Sequence, residues 1–226
     1  MKILLFDIDG TLLLTGGVGK IAFEKTFEEV FGISEAWGDL RPDGKTDPIL
    51  IDEIVTRCLK RSSMREEYDR IGELYLKYFR QDIEKADRFR LLPGVSKLLD
   101  ELSLPDKYLL GIATGNFEEA AWLKLERGSI KKYFQFGGFG SDFSERLKLT
   151  AVALERGKKI LGRAISNSDI YVIGDTPYDI AVGKKLGVQT IAVGTGSHTK
   201  ADLAECNPDY YLDELTNPSE FLGIIS

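Results

Sequence analysis

The chain has 226 residues, with 30 Lys and Arg against 36 Asp and Glu, a formal net charge of −6. That balance disfavours a nucleic-acid or membrane-surface protein, and 43% hydrophobic residues suffice for a sizeable core in one large domain, or one domain with an insert. One histidine, His198, argues against Ser-His-Asp, Cys-His and His-rich zinc chemistry, which leaves carboxylates and cations to carry any catalysis.

Taken in chain order, Lys2 to Phe6 is a nearly unbroken apolar run, the pattern of a strand buried on both faces of a parallel sheet. It runs into Asp7 and Asp9, so it makes neither a signal peptide nor a membrane span. From about residue 17 to residue 87 the pattern changes to successive helices. Ile21 to Phe31, Ile49 to Leu59 and Tyr68 to Ile83 repeat apolar residues at three- and four-residue spacing. Leu92-Pro93-Gly94 opens a helix over Val95 to Leu102. Beyond it, apolar runs at Tyr108 to Ala113, Ile170 to Ile173 and Gln189 to Val193 alternate with helical stretches at Glu118 to Arg127, Leu147 to Arg156 and Asp179 to Leu186. A short strand and helix close the chain between Asp209 and Phe221. The expected fold is α/β: a doubly wound, Rossmann-like parallel sheet from residues 1–16 and 88–226, with an all-helical cap inserted at 17–87.

Chemistry concentrates where strands end. Asp7 and Asp9 sit two residues apart after the first strand and share a side. Gly174-Asp175-Thr176-Pro177-Tyr178-Asp179 repeats the pattern after another strand. Grouping Asp7, Asp9, Asp175 and Asp179 in one crevice calls for a dication, and an oxygen-only ligand set favours Mg²⁺. Thr114-Gly115-Asn116 closes a strand before a helix, either as an anion cradle or as a helix cap.

With these motifs the sequence resembles the haloacid dehalogenase-like hydrolase superfamily, in the branch similar to phosphoglycolate phosphatases with a helical cap. The DxDGT signature falls at Asp7 to Thr11, the strand ending in Thr at Thr114, and GDxxxD at Gly174 to Asp179. The resemblance implies that Asp7 attacks phosphorus to form an aspartyl-phosphate and that Asp9 serves as general acid and base. It implies Mg²⁺ on the side chains of Asp7 and Asp175 and the carbonyl of Asp9, with Asp179 supporting that shell. Thr114 and the N–H groups of Gly115 and Asn116 would bind phosphoryl oxygens.

The family also expects a basic residue between the last two motifs, for which Arg146 and Lys148 are candidates. Residues two apart on a helix point about 200° apart, so one of them reaches the crevice. The match of Ala153 to Arg156 with those relatives places Arg146 first, while counting back from Leu161-Gly162 favours Lys148. Arg41 and Lys45, in the polar loop ending at Asp47, either contact substrate or merely precede a helix capped by Thr46 or Asp47. The implied function is a phosphatase of a small soluble ester, phosphoglycolate-like or a sugar phosphate, with a phosphosugar mutase as the alternative. The implied partner is that small molecule, with no nucleic acid, membrane or protein. Two distant cysteines, Cys58 and Cys206, fit a reduced, cytoplasmic setting.

Overall fold

The computed structural model describes residues 1–103 and 107–226. Its frame is a parallel sheet of six strands: β1 (Lys2–Phe6), β4 (Tyr108–Ala113), β5 (Phe136–Gly138), β6 (Ile170–Gly174), β7 (Gln189–Val193) and β8 (Tyr210–Leu212), in the order β5-β4-β1-β6-β7-β8. The side chains of β1 are buried on both faces, which is why that strand reads as an apolar run rather than an alternation. One face packs against α4 (Val95–Leu102), α5 (Glu118–Arg127) and α9 (Pro218–Ile224), through Leu98, Leu99, Leu125 and Phe221. The other packs against α6 (Arg146–Leu161) and neighbouring segments through Ala153 and Leu154. Two further helices follow β6 and β7: α7 (Pro177–Leu186) and α8 (Lys200–Glu205).

Sequence periodicity did not announce β5. Its sequence is Phe-Gly-Gly, which lacks the β-branched signature of a strand. The glycines answer to packing instead, because a Cβ on Gly138 would overlap the Leu149 carbonyl of α6. The helix therefore rests directly on the strand's backbone.

Between β1 and α4 the chain leaves the sheet through a two-stranded antiparallel ribbon of β2 (Leu13–Leu14) and β3 (Arg90–Leu91), a second element the periodicity did not show. The ribbon brackets three helices, α1 (Val18–Phe31), α2 (Asp47–Leu59) and α3 (Arg65–Ile83). They bury an apolar cluster of their own around Phe23, Phe27, Ile51, Ile54, Tyr75 and Phe79, which extends onto Phe117 and Ala120 at the start of α5. This helical layer lies over the carboxyl ends of β1, β4 and β6. Because β1 has β4 on one side and β6 on the other, the sheet's order reverses there, the place where open α/β sheets bind ligands.

Candidate active site

Each strand end delivers one polar group to the same crevice. The Asp7 N–H continues the ladder by donating to the Ile173 carbonyl at 2.9 Å, so its carboxylate is fixed at the tip of β1 and is buried. Asp175, at the tip of β6, accepts the Thr11 hydroxyl at 2.7 Å. Asp179 lies one turn further on, where it forms a reciprocal capping box with Thr176 at the start of α7; its Oδ2 accepts the Thr176 hydroxyl at 2.7 Å and N–H at 3.1 Å. Oxygens of Asp7, Asp175 and Asp179 lie within 4.8 Å of one another.

Arg146 balances them. The first residue of α6, it is paired with Asp179 and lies 3.4 Å from Asp7 Oδ2. Burial opposes its charge, but Asp179 and Asp7 outweigh that and hold the guanidinium protonated. One cation does not compensate three carboxylates. Burial pushes Asp175 up to about 8, with Asp7 and Asp179 adding to it against the Thr11 hydroxyl. Burial likewise raises Asp7 to about 6, against the pull of Arg146. Lys148 is elsewhere: two residues along the helix its ammonium is turned to solvent, 53% exposed and paired with Glu145 at 2.6 Å.

Thr114 ends β4 with its N–H donated to the Gly138 carbonyl at 3.1 Å. Its hydroxyl accepts the Asn116 side-chain amide at 2.7 Å, which leaves the hydroxyl proton free to donate. Gly115 lines the cavity, and its N–H has no acceptor among the described residues. The Asn116 N–H points to the Thr114 hydroxyl at 3.5 Å, and the side-chain amide donates to Asp9 Oδ2 at 2.8 Å as well.

Lys124 on α5 completes the arrangement, and motif reading missed it. Its ammonium is 4% exposed and donates to Asp9 Oδ2 and to Asn116 Oδ1, both at 2.5 Å. The sequence does carry a signal for it: Ala120, Ala121 and Leu125 mark the inward face of α5, and a lysine at 124 falls on that face.

The helical layer reaches down at the Pro42–Asp47 loop. The Asp47 N–H donates to the Gly115 carbonyl at 2.8 Å and its Oδ2 accepts the Phe117 N–H at 2.7 Å, while the Thr46 hydroxyl donates to the Ser144 carbonyl at 2.9 Å. Gly115 makes this approach possible, since a Cβ there would overlap the Lys45 carbonyl. Thr46 also caps α2, so the capping expectation holds alongside the contact with the core. The Asp47 carboxyl is buried and raised to about 6, chiefly by that burial, with Lys124 and the Phe117 N–H opposing. Lys45 lines the cavity with its ammonium on Glu53 at 2.6 Å. Arg41 is exposed and is not among the cavity's lining residues, which begin in this loop at Pro42.

Floor and roof border a cleft of about 210 Å³. Asp7, Asp9, Thr114, Arg146 and Asp175 form the floor; Phe23, Trp37, Leu50 and Tyr75 wall the other end.

A family model of haloacid dehalogenase-like hydrolases matches residues 4–193. The chain belongs to that family. Among haloacid dehalogenase-like relatives, a phosphoglycolate phosphatase of Aquifex aeolicus is 26% identical over 227 residues, covering 100% of this chain and 97% of its own. Pyrophosphatase PpaX of Halalkalibacterium halodurans is 25% identical, covering 97% and 96%. The solved structure of CbbY from Rhodobacter sphaeroides in complex with phosphate shares the fold, with a TM-score of 0.72 at 19% identity over 96% of each chain.

Proposed function

We propose that this hydrolase is a Mg²⁺-dependent phosphatase of small phosphate monoesters, working through an aspartyl-phosphate on Asp7. The observation that carries the reading is the meeting, under one roof, of Asp7, Asp175 and Arg146 with the open donors of Thr114 and Gly115. Phosphoryl oxygens bind the Thr114 hydroxyl and Gly115 N–H, and the Arg146 guanidinium offsets the charge that Asp7 and the phosphate bring together. The Asp7 carboxylate forms a bond to phosphorus as the ester P–O bond breaks, and Asp9 protonates the departing alcohol. Asp9 then takes a proton from the water that attacks phosphorus and frees Asp7. Lys124 and Asn116 both hold Asp9 by Oδ2, so Oδ1 is left for these transfers.

The buried carboxylates suit a hard dication: all donors are oxygen, and the single arginine leaves Asp7 and Asp175 hard to ionise. Asp7, Asp175 and the Asp9 carbonyl would hold Mg²⁺. Asp179, with its oxygens engaged by Thr176 and Arg146, would steady that set from outside. Mg²⁺ supplies charge neutralisation for the phosphoryl group. Helices α1 to α3, within residues 17–87, serve as the cap that excludes water. No described helix is long and apolar enough to cross a membrane, and we place the enzyme in the cytoplasm on its two free cysteines.

The direct test is release of inorganic phosphate from p-nitrophenyl phosphate with Mg²⁺ and its loss in EDTA. Equal rates in EDTA would overturn the metal assignment. An isomeric phosphosugar in place of free phosphate, from a sugar phosphate, would make the protein a mutase.

Metal binding also has a pH signature. Asp7 and Asp175 have folded values raised above 3.8, so between about pH 4 and about pH 8 the folded chain holds more protons than the unfolded one. Their contribution to metal-free stability therefore falls as pH rises through that window. Mg²⁺ relieves this cost, so the rise in Tm on adding it should be larger at pH 8 than at pH 5. An equal rise at both would refute the cluster as the site.

Lys124→Met should lower kcat/KM for alkyl phosphates on the order of 10²-fold, part of what a general acid contributes, because Asp9 loses its anchor in the step that expels the alcohol. On p-nitrophenyl phosphate, whose leaving group needs no proton, the loss should be far smaller. A uniform loss on both would make Lys124 a packing residue only.

A further inference from the structure

Among the described residues four cations line the cavity, and each is already paired: Arg146 with Asp7 and Asp179, Lys124 with Asp9 at 2.5 Å, Lys45 with Glu53 at 2.6 Å and Lys20 with Glu24 at 3.7 Å. Under the roof, Asp47 has no cation within 4.0 Å among the described residues. It is 6% exposed; Oδ2 accepts the Phe117 N–H, while Oδ1 accepts no hydrogen bond among the described residues. Tyr75, 1% exposed, walls the same cavity with its ring stacked at 4.1 Å on Phe23. Its hydroxyl lies beside Gly19 and likewise has no hydrogen-bond partner among the described residues. Asp47 and Tyr75 both line the cavity and neither atom has a protein partner among the described residues, so a polar group of a bound leaving alcohol can engage both.

Three kinds of leaving group compete for that place. A carboxylate or a second phosphate would meet the Asp47 carboxylate in a low-dielectric pocket with no spare cation to offset it. An ammonium would pair with Asp47 but has no lone pair to accept from the Tyr75 hydroxyl. A neutral hydroxyl suits both partners, donating to Asp47 and accepting from Tyr75. The cavity's 210 Å³ is below the range of about 300–1,000 Å³ common for ligand pockets, so the alcohol is short.

The geometry points to phosphate esters of short polyhydroxy alcohols and small sugars as the substrate class, with Asp47 and Tyr75 reading a hydroxyl of the leaving group and Asp47 rejecting anionic ones. This inference rests on the phosphatase reading above. It separates the chain from the anionic leaving groups that the names of its phosphoglycolate phosphatase and pyrophosphatase relatives describe.

The test measures kcat/KM with Mg²⁺ for glycerol 3-phosphate, erythrose 4-phosphate, 2-phosphoglycolate, pyrophosphate and phosphoethanolamine, with p-nitrophenyl phosphate as reference. The better of the two hydroxylated esters should exceed each of the anionic and ammonium substrates by about tenfold or more. Asp47→Asn, which keeps an oxygen for the Phe117 N–H, should shrink its lead over 2-phosphoglycolate about tenfold. Tyr75→Phe should lower its kcat/KM about tenfold relative to p-nitrophenyl phosphate. Such ratios within one sample do not depend on how much of a variant folds. A smaller lead in the unaltered protein, or ratios unmoved by both substitutions, would overturn the inference and leave the phosphatase reading standing. No turnover of any ester, p-nitrophenyl phosphate included, would overturn both.

Discussion

Asp7→Asn is expected to abolish turnover while leaving the fold intact. The amide is nearly isosteric with the carboxylate but is no nucleophile toward phosphorus. The backbone N–H of residue 7 still donates to the Ile173 carbonyl, and Arg146 keeps its pair with Asp179. The substitution also removes one of three crowded buried acids, so in EDTA the variant should melt no lower than the parent near pH 8, where Asp7, raised to about 6 by burial, carries its charge. Phosphate release and thermal melting measured on the same preparation check both halves. In the unaltered enzyme, a fluoroaluminate or beryllium fluoride mimic should be found on Asp7; density on Asp9 would reverse the two roles.

Arg146→Ala is expected to lower kcat by the equivalent of roughly 2–4 kcal/mol, the usual loss when a group stabilising transition-state charge is removed from a water-excluded site. Stability should fall as well. The guanidinium sits between Asp7 and Asp179, and removing it leaves both carboxylates buried without their cation, a loss of about 3–5 kcal/mol in other buried pairs. Mg²⁺ should restore part of the stability and little of the rate, because it does not replace a donor on α6. Lys148→Ala should change neither quantity appreciably, since an exposed pair one helical turn from Glu145 contributes about 0.3–0.5 kcal/mol. Steady-state kinetics and melting curves of the two variants decide it, and the opposite ranking would shift the functional register by two residues.

The residues that were legible from sequence are those whose position depends on a few neighbours in the chain. Asp7, Thr114 and Asp175 follow apolar strands, and a strand end is a local pattern that aims the next side chain at the carboxyl edge of the sheet. The sequence ranks Arg146 only slightly ahead of Lys148, because their separation depends on where α6 starts, and Glu145, which precedes it, makes no side-chain cap. Lys124, Asp47 and Tyr75 lie on three helices, each with a routine periodic pattern, and only the packing of α3 and the start of α2 against α5 brings them to one cavity. The ribbon of β2 and β3 was hidden for a similar reason: two residues per strand is too short for any periodicity.

Three hydrogen bonds, from Asp47 to Gly115, from Phe117 to Asp47 and from Thr46 to Ser144, fasten the start of α2 to the loops of the sheet. At about 0.5–1.5 kcal/mol each, these bonds add a few kcal/mol to the apolar contact that Phe117 and Ala120 make with the helices. The helical layer is thus fixed at one point directly over the polar strand ends, and any widening of the cleft there has to break those bonds first. A stronger fastening would hold substrate and product longer in the cleft while keeping water from it, so the same three bonds act on release as well as on shelter.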